Sequence, residues 1–126
     1  MEFLDGQKLK NYVNSANEEQ VHETLVELGK IIKKLHDNNV IHGDLTTSNM
    51  ILREAKIYLL DFGLGALTAT IEDKAVDLYL FEKAFIATHP SLEKTFSVFL
   101  EEYGDKVVLN RLDQVRQRGR KKVAFG

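Results

Sequence analysis

Cysteine is absent from these 126 residues, and that excludes disulfides, thiolate metal sites and a cysteine nucleophile together. No apolar run approaches the length of a membrane span, and the opening "MEFLDGQKLK" lacks the pattern of a secretory signal. Histidine is sparse as well. His22, His36, His42 and His89 are scattered without metal-ligand spacing, which argues against a zinc site. Repeats, low-complexity segments and an obvious interdomain linker are missing too, and Pro90 is the single proline. A soluble protein of one domain, or part of one, is the expectation, placed in the cytoplasm or, in a eukaryote, also the nucleus.

What is present is ordinary in bulk and uneven in detail. A 44% apolar composition suffices for a real core. The net charge of −2 hides a separation: Arg111–Lys122 carries six basic residues and one acid, and the remainder is correspondingly acidic. Such asymmetry marks a partner surface more often than a folding requirement.

Helical periodicity dominates the chain. An extended lead-in, "MEFLDG", precedes a short helix around 8–14. Asn17 and Gln20 form a capping-box pattern before a long helix with Val21, Leu25, Leu28, Ile32 and Leu35 on one face. "MIL" and "KIYLL" are short and β-prone, and with "REAK" between them they predict a small hairpin. A second helix is expected over 72–87, with Ala75, Leu78, Glu82 and Phe85 on one face and Pro90 as its limit. A third is expected over 92–103, and a last one from about 106 before a basic tail. Phe81, Phe85, Phe96 and Phe99 fall on helical faces and are assigned to the core.

Two polar stretches carry the chemistry. "IHGDLTTSN" places Asp44 and Asn49 five residues apart, after a helix and before a strand. "DFG" begins at Asp61, directly after the second strand. A hairpin brings its two ends together, so Asp44, Asn49 and Asp61 are expected at one mouth. Asn49 and Asp61 offer hard oxygens suited to Mg2+, and Asp44 is then placed to accept a proton from an attacking hydroxyl. Gly63 and Gly65 leave the backbone after Asp61 free to bend. The plainer alternative for Asp44 and Asn49 is a turn capped by its own side chains, and Thr46, Thr47 and Ser48 suit ordinary loop hydrogen bonds.

H-x-D-x-x-x-x-N followed by D-F-G resembles the catalytic-loop and metal-loop pair of protein kinases. With "EDKAVDLYLFEKAF", "THP" and "VRQRGRKK", the chain resembles more closely the PRPK-type atypical kinases of the KEOPS complex, over nearly its whole length. The resemblance implies an α+β, mostly helical, kinase-like C-terminal lobe over 1–117 with one small β-hairpin, and a basic tail over 118–126. It implies Asp44 as catalytic base, Asn49 and Asp61 as metal and cofactor ligands, His42 as a brace of the loop, and Asp77 as its anchor. ATP and Mg2+ are the implied cofactors. The implied activity is phosphorylation or ATP hydrolysis supporting threonylcarbamoylation of tRNA adenosine, with the transferase subunit and other KEOPS subunits as partners.

Departures from ordinary protein kinases are equally informative. Gly43 stands where an arginine usually receives an activation-loop phosphate, and Thr46 where many kinases place a lysine. Thirteen residues separate Gly63 from Asp77, with no A-P-E. No glycine-rich loop or strand lysine precedes Met1, so an N-terminal lobe is expected to be absent from this chain. The basic residues Arg116, Arg118, Arg120, Lys121 and Lys122 are expected to stay exposed and to meet tRNA or a partner, with Gly119 loosening the backbone among them. A solvated helix end is the plainer reading of the same residues. Two other functions fit some features: a non-catalytic lobe that binds tRNA or partners, and a small-molecule phosphotransferase of the aminoglycoside or choline kinase type.

Overall fold

A computed structural model describes residues 6–60, 64–65 and 69–125, with 64–65 and 120–125 described in the backbone alone. The expected lead-in lies largely outside the described residues, as do Asp61, Phe62 and Gly63. Strand β1 (Gln7–Lys8) leads into helix α1 (Leu9–Ser15), which buries Leu9 and Val13. The long helix α2 spans Glu18–Asp37. Its capping box forms as the sequence predicts: Gln20 N–H donates to Asn17 Oδ1 at 2.8 Å, and Asn17 N–H to Gln20 Oε1 at 3.0 Å. Glu18 and Glu19 in the first turn and Lys34 in the last complement the helix dipole. Val21, Leu25, Leu28 and Ile32 are buried, so the helical stripe read from the sequence is the core face.

Strand β2 (Val40–Ile41) follows a left-handed Asn39, and a 3-10 turn over Thr47–Asn49 delivers the chain into β3 (Met50–Arg53). β3 and β4 (Lys56–Leu59) form the expected hairpin, but its connection is shorter than "REAK". Arg53 pairs with Lys56 in the ladder, leaving Glu54 and Ala55 at φ 50° and 63° as a two-residue turn. Such turns favour Asn and Gly, so these residues gave no turn signal. The expectation of a single hairpin is corrected in a second respect. β1 adds to β3, making a three-stranded antiparallel sheet in the order β1-β3-β4, and β2 pairs with β5 (Leu64–Gly65) in a separate ribbon. Two-residue strands are too short to show alternation.

Helix α3 spans Ile71–Thr88. It starts with a second capping box, between Thr70 and Asp73, that the sequence reading passed over. The expected helix over 92–103 is broken. Two 3-10 turns, Pro90–Leu92 and Lys94–Phe96, precede a short α4 (Ser97–Tyr103), which ends at Gly104 with φ 68°. Packing explains the break, since Phe96 turns inward against Phe85 and Phe99 (ring centroids 5.1 Å in each case) and Phe81 (5.5 Å). These four rings are all buried, and each contributes on the order of 1.5–3 kcal/mol by leaving water. α2 crosses α4 so closely that a methyl on Gly29 would lie 2.7 Å from Glu102 Cβ and 2.9 Å from the Phe99 carbonyl. Helix α5 runs from Lys106 to Phe125, so the backbone shows no break between body and basic segment at 117–118. Gly119 lies inside that helix against Tyr79, where an added methyl would collide with the Tyr79 hydroxyl. Its role is close approach, not the loosening expected of it.

Candidate functional site

Residues 42–49 form a loop held at its start by one buried carboxylate. Asp77, on α3, is 1% exposed. Its Oδ2 accepts from the His42 backbone N–H at 3.1 Å, and its Oδ1 from the Gly43 N–H at 3.0 Å. Gly43 has φ 89°, a region that disfavours side chains, and this conformation lets two successive N–H groups face one carboxylate. His36 Nε2 makes a third contact, 2.8 Å from Asp77 Oδ2. His36 Nδ1 is in turn 2.8 Å from the Tyr103 hydroxyl. Burial, with the charges of Asp105, Asp37 and Asp77 behind it, pushes Tyr103 well above the usual tyrosine range. Tyr103 therefore keeps its O–H and shares a hydrogen bond with Nδ1, while Nε2, facing a carboxylate that can only accept, donates to Asp77.

His42 braces the loop from within. Its Nε2 lies 2.8 Å from the Leu60 carbonyl, an acceptor only, so Nε2 carries the proton. Its Nδ1 accepts the Asp44 N–H at 3.1 Å. One imidazole thus ties Asp44 to the end of β4. Asn49 Nδ2 donates to the Asp44 carbonyl at 3.1 Å and to Asp44 Oδ2 at 3.0 Å. Asp44 and Asn49 are therefore in direct contact. The amide nitrogen is committed to Asp44, which leaves the amide oxygen as the hard donor Asn49 can offer a cation. Leu60 N–H donates to the Asn49 carbonyl at 2.8 Å, so the chain leaves the hairpin beside Asn49. Asp61 is the next residue and lies outside the described residues. Among the described residues no cluster of three or more His, Cys, Asp or Glu is arranged to hold a metal.

The far end of the loop has its own anchor. Thr47, 2% exposed, has Oγ1 2.9 Å from His89 Nε2, and His89 Nδ1 is 2.9 Å from Asn14 Oδ1 on α1. Burial first, and the charge of Lys10 second, hold His89 below the usual histidine range. Sequence reasoning missed His36, Tyr103, His89 and Asn14 as parts of this site. His36 left a trace, since it continues the apolar stripe one turn beyond Ile32, and His89 falls in "THP". The partners of His89 and Tyr103 in this site lie more than 40 residues away, and no local pattern names them.

Within the basic segment Arg118 stays exposed and Arg116 is half-buried, and both meet carboxylates. Arg116 forks onto Glu82, Nε to Oε2 at 2.8 Å and Nη2 to Oε1 at 2.6 Å. Arg118 Nη2 reaches Glu72 Oε2 at 2.5 Å, and Arg111 Nη1 reaches Glu72 Oε1 at 3.2 Å. These bonds hold Glu72 below the ordinary carboxylate range, Arg118 more strongly than Arg111. Arg116 and Arg118 therefore meet carboxylates of α3 because α5 packs along it. Arg120, Lys121 and Lys122 continue the helical backbone, and their side chains lie outside the described residues. A cleft of about 270 Å³ opens elsewhere, between α2 and the hairpin, lined by Tyr12, Thr24, Leu52 and Ile57 among others. It is lined by neither Asp44 nor Asn49. No helix among the described residues is long and apolar enough to cross a membrane.

Comparison with known proteins bears on what this loop is for. The protein kinase domain family matches residues 1–89. EKC/KEOPS complex subunit bud32 of Dictyostelium discoideum is 46% identical over 138 residues, an alignment that spans 100% of this chain and 55% of that protein. EKC/KEOPS complex subunit Tp53rkb of Mus musculus is 43% identical over 139 residues, spanning 99% and 57%. KEOPS complex subunit Bud32 of Pyrococcus abyssi is 37% identical over 128 residues, spanning 95% and 58%. The chain thus covers somewhat more than half the length of these relatives.

Proposed function

This chain belongs to the protein kinase domain family, and from that premise we propose that it is the catalytic-loop part of a PRPK-type KEOPS kinase or ATPase using Mg-ATP. The observation that carries the reading is the Asp44–Asn49 contact, held on a loop whose start is fixed to buried Asp77. Asp44 is the base that accepts a proton from the attacking hydroxyl or water. Asn49 Oδ1 and Asp61 would hold Mg2+, which when bound offsets charge on the phosphate oxygens. His42 and Asp77 position the loop, and neither touches the substrate.

The relatives' names support assembly in a KEOPS complex. We assign the chain the role of supporting threonylcarbamoylation of tRNA adenosine, beside the threonylcarbamoyl transferase subunit and other KEOPS subunits, in the cytoplasm or nucleus. The cations from Arg116 to Lys122 are its contact with tRNA or a partner. For Arg116 and Arg118 that contact requires competition with Glu82 and Glu72.

The test is ATP turnover by the full-length protein. Asp44→Asn should lower it by about 10²–10⁴-fold, the usual worth of a positioned base. Asp61→Ala should abolish it, and Asn49→Ala should raise the Mg2+ concentration needed for half-maximal turnover. Turnover unchanged in Asp44→Asn would rule this assignment out.

A further inference from the structure

The loop from His42 to Asn49 is anchored twice, and the second anchor is not at Asp77. Thr47 opens the 3-10 turn whose third residue is Asn49, and the Asn49 N–H closes that turn on the Thr46 carbonyl at 3.0 Å. The place of Thr47 therefore sets the place of Asn49 relative to Asp44. Thr47 is held by one imidazole. His89, 3% exposed, sits just past the last residue of α3 with its ring against Phe85 at 4.9 Å between centroids. Three elements converge on that ring: Asn14 from α1, Thr47 from the loop, and the end of α3 itself.

With Asn14 Oδ1 turned toward Nδ1, the hydrogen-bond roles on this ring follow. Asn14 Oδ1 can only accept, so His89 Nδ1 carries the proton. With one proton on the ring, Nε2 is an acceptor, and the Thr47 O–H must donate to it. A threonine hydroxyl would otherwise rotate among several partners, and here its direction and position are specified.

We propose that His89 is a positioning residue for the phosphoryl-transfer site, holding Asn49 against Asp44 through Thr47 and coupling that contact to α1 through Asn14. This rests on the reading of Asp44 and Asn49 as the reacting pair, but its structural half can be tested without turnover. Asp77 fixes the backbone at His42 and Gly43. His89 fixes the other end, where Asn49 is carried. Removing the second anchor leaves Asn49 held only by its bonds to Asp44 and by the Leu60 N–H on its carbonyl, while the first anchor stays intact.

Nuclear magnetic resonance of the Asn49 side-chain amide in the full-length protein reads this directly. Thr47→Val removes the hydroxyl at constant shape, and His89→Phe removes both ring nitrogens. In each, the Asn49 amide protons should exchange with water about five- to ten-fold faster, what the loss of one net hydrogen bond yields. The His36 imidazole resonances, which report the Asp77 anchor, should stay in place. If His89→Phe fails to fold, Thr47→Val still decides. Asn49 exchange unchanged in folded Thr47→Val overturns the proposal. So does a uniform rise in exchange across α2 and α3, because that is a purely structural loss. If Asn49 responds and ATP turnover does not, the positioning stands and the assignment of Asp44 and Asn49 to catalysis fails instead.

Discussion

Asp77 accepts from three donors at once: two backbone N–H groups and a histidine. An asparagine there keeps the shape and turns one acceptor oxygen into a donor pair facing donors. Buried mismatches of this kind cost about 2–4 kcal/mol, a large share of the roughly 5–15 kcal/mol by which a domain is stable. Asp77→Asn should therefore lower the unfolding free energy by that amount, seen as a lower urea midpoint, and a midpoint unchanged would remove Asp77 as anchor. His89 yields a pH signature. Its folded-state pKa lies below the ordinary value of 6.5. The unfolded chain takes up the proton first as the pH falls. The stabilisation is thus complete above 6.5 and is lost on acidification through the folded value. Between about pH 7.5 and about pH 5.5, wild type should lose more stability than His89→Asn. Equal losses would mean that the ring is not held uncharged.

Helices meet at distances their small residues permit. Alanine at Gly29 would bring about 1 kcal/mol of helix propensity. Its methyl, however, would press on Glu102 Cβ and on the Phe99 carbonyl, which belongs to the backbone of α4 and cannot rotate away. Overpacking costs about 1–3 kcal/mol, so Gly29→Ala should be destabilising by up to about 2 kcal/mol net, visible as a lowered Tm. A raised Tm would show that α2 and α4 can separate freely. The same logic governs α3 and α5, where Gly119 admits Tyr79 and the Arg116–Glu82 fork lies alongside. Arg118 on Glu72 is more exposed, with 60% of its side-chain surface open, and so is the more easily given up.

Across the whole molecule, charge is segregated in sequence and partly reunited in space. The segment from Arg111 to Lys122 carries a net positive charge, and α3 answers it with Glu72 and Glu82. On the proposal that this segment meets tRNA, Glu72 competes with phosphate for Arg118. Glu72→Gln should therefore tighten tRNA binding at low salt. It should also steepen the dependence of affinity on salt by about 0.7–0.9 log units per log unit for each added phosphate contact. Filter binding across a salt series would check this, and affinity and slope identical to wild type would show that Arg118 takes no part.

Much was legible without coordinates because its causes are local. The capping box at Asn17 and Gln20, the apolar stripe of α2, and the β3–β4 pairing each depend on residues a few positions apart. Asp44 and Asn49, five residues apart in one loop, touch. What only the tertiary structure decided was every relation between distant side chains. No periodicity tells that Tyr103 and His36 stand behind Asp77, that His89 joins Asn14 to Thr47, or that Arg116 is held by Glu82. Phe96 broke an expected helix because burial against Phe81 and Phe85 outweighed the modest propensity to continue it. Local pattern specifies which backbone a segment can adopt. Partners tens of residues away are chosen by packing, since a buried polar group must find its hydrogen bond wherever the fold brings one.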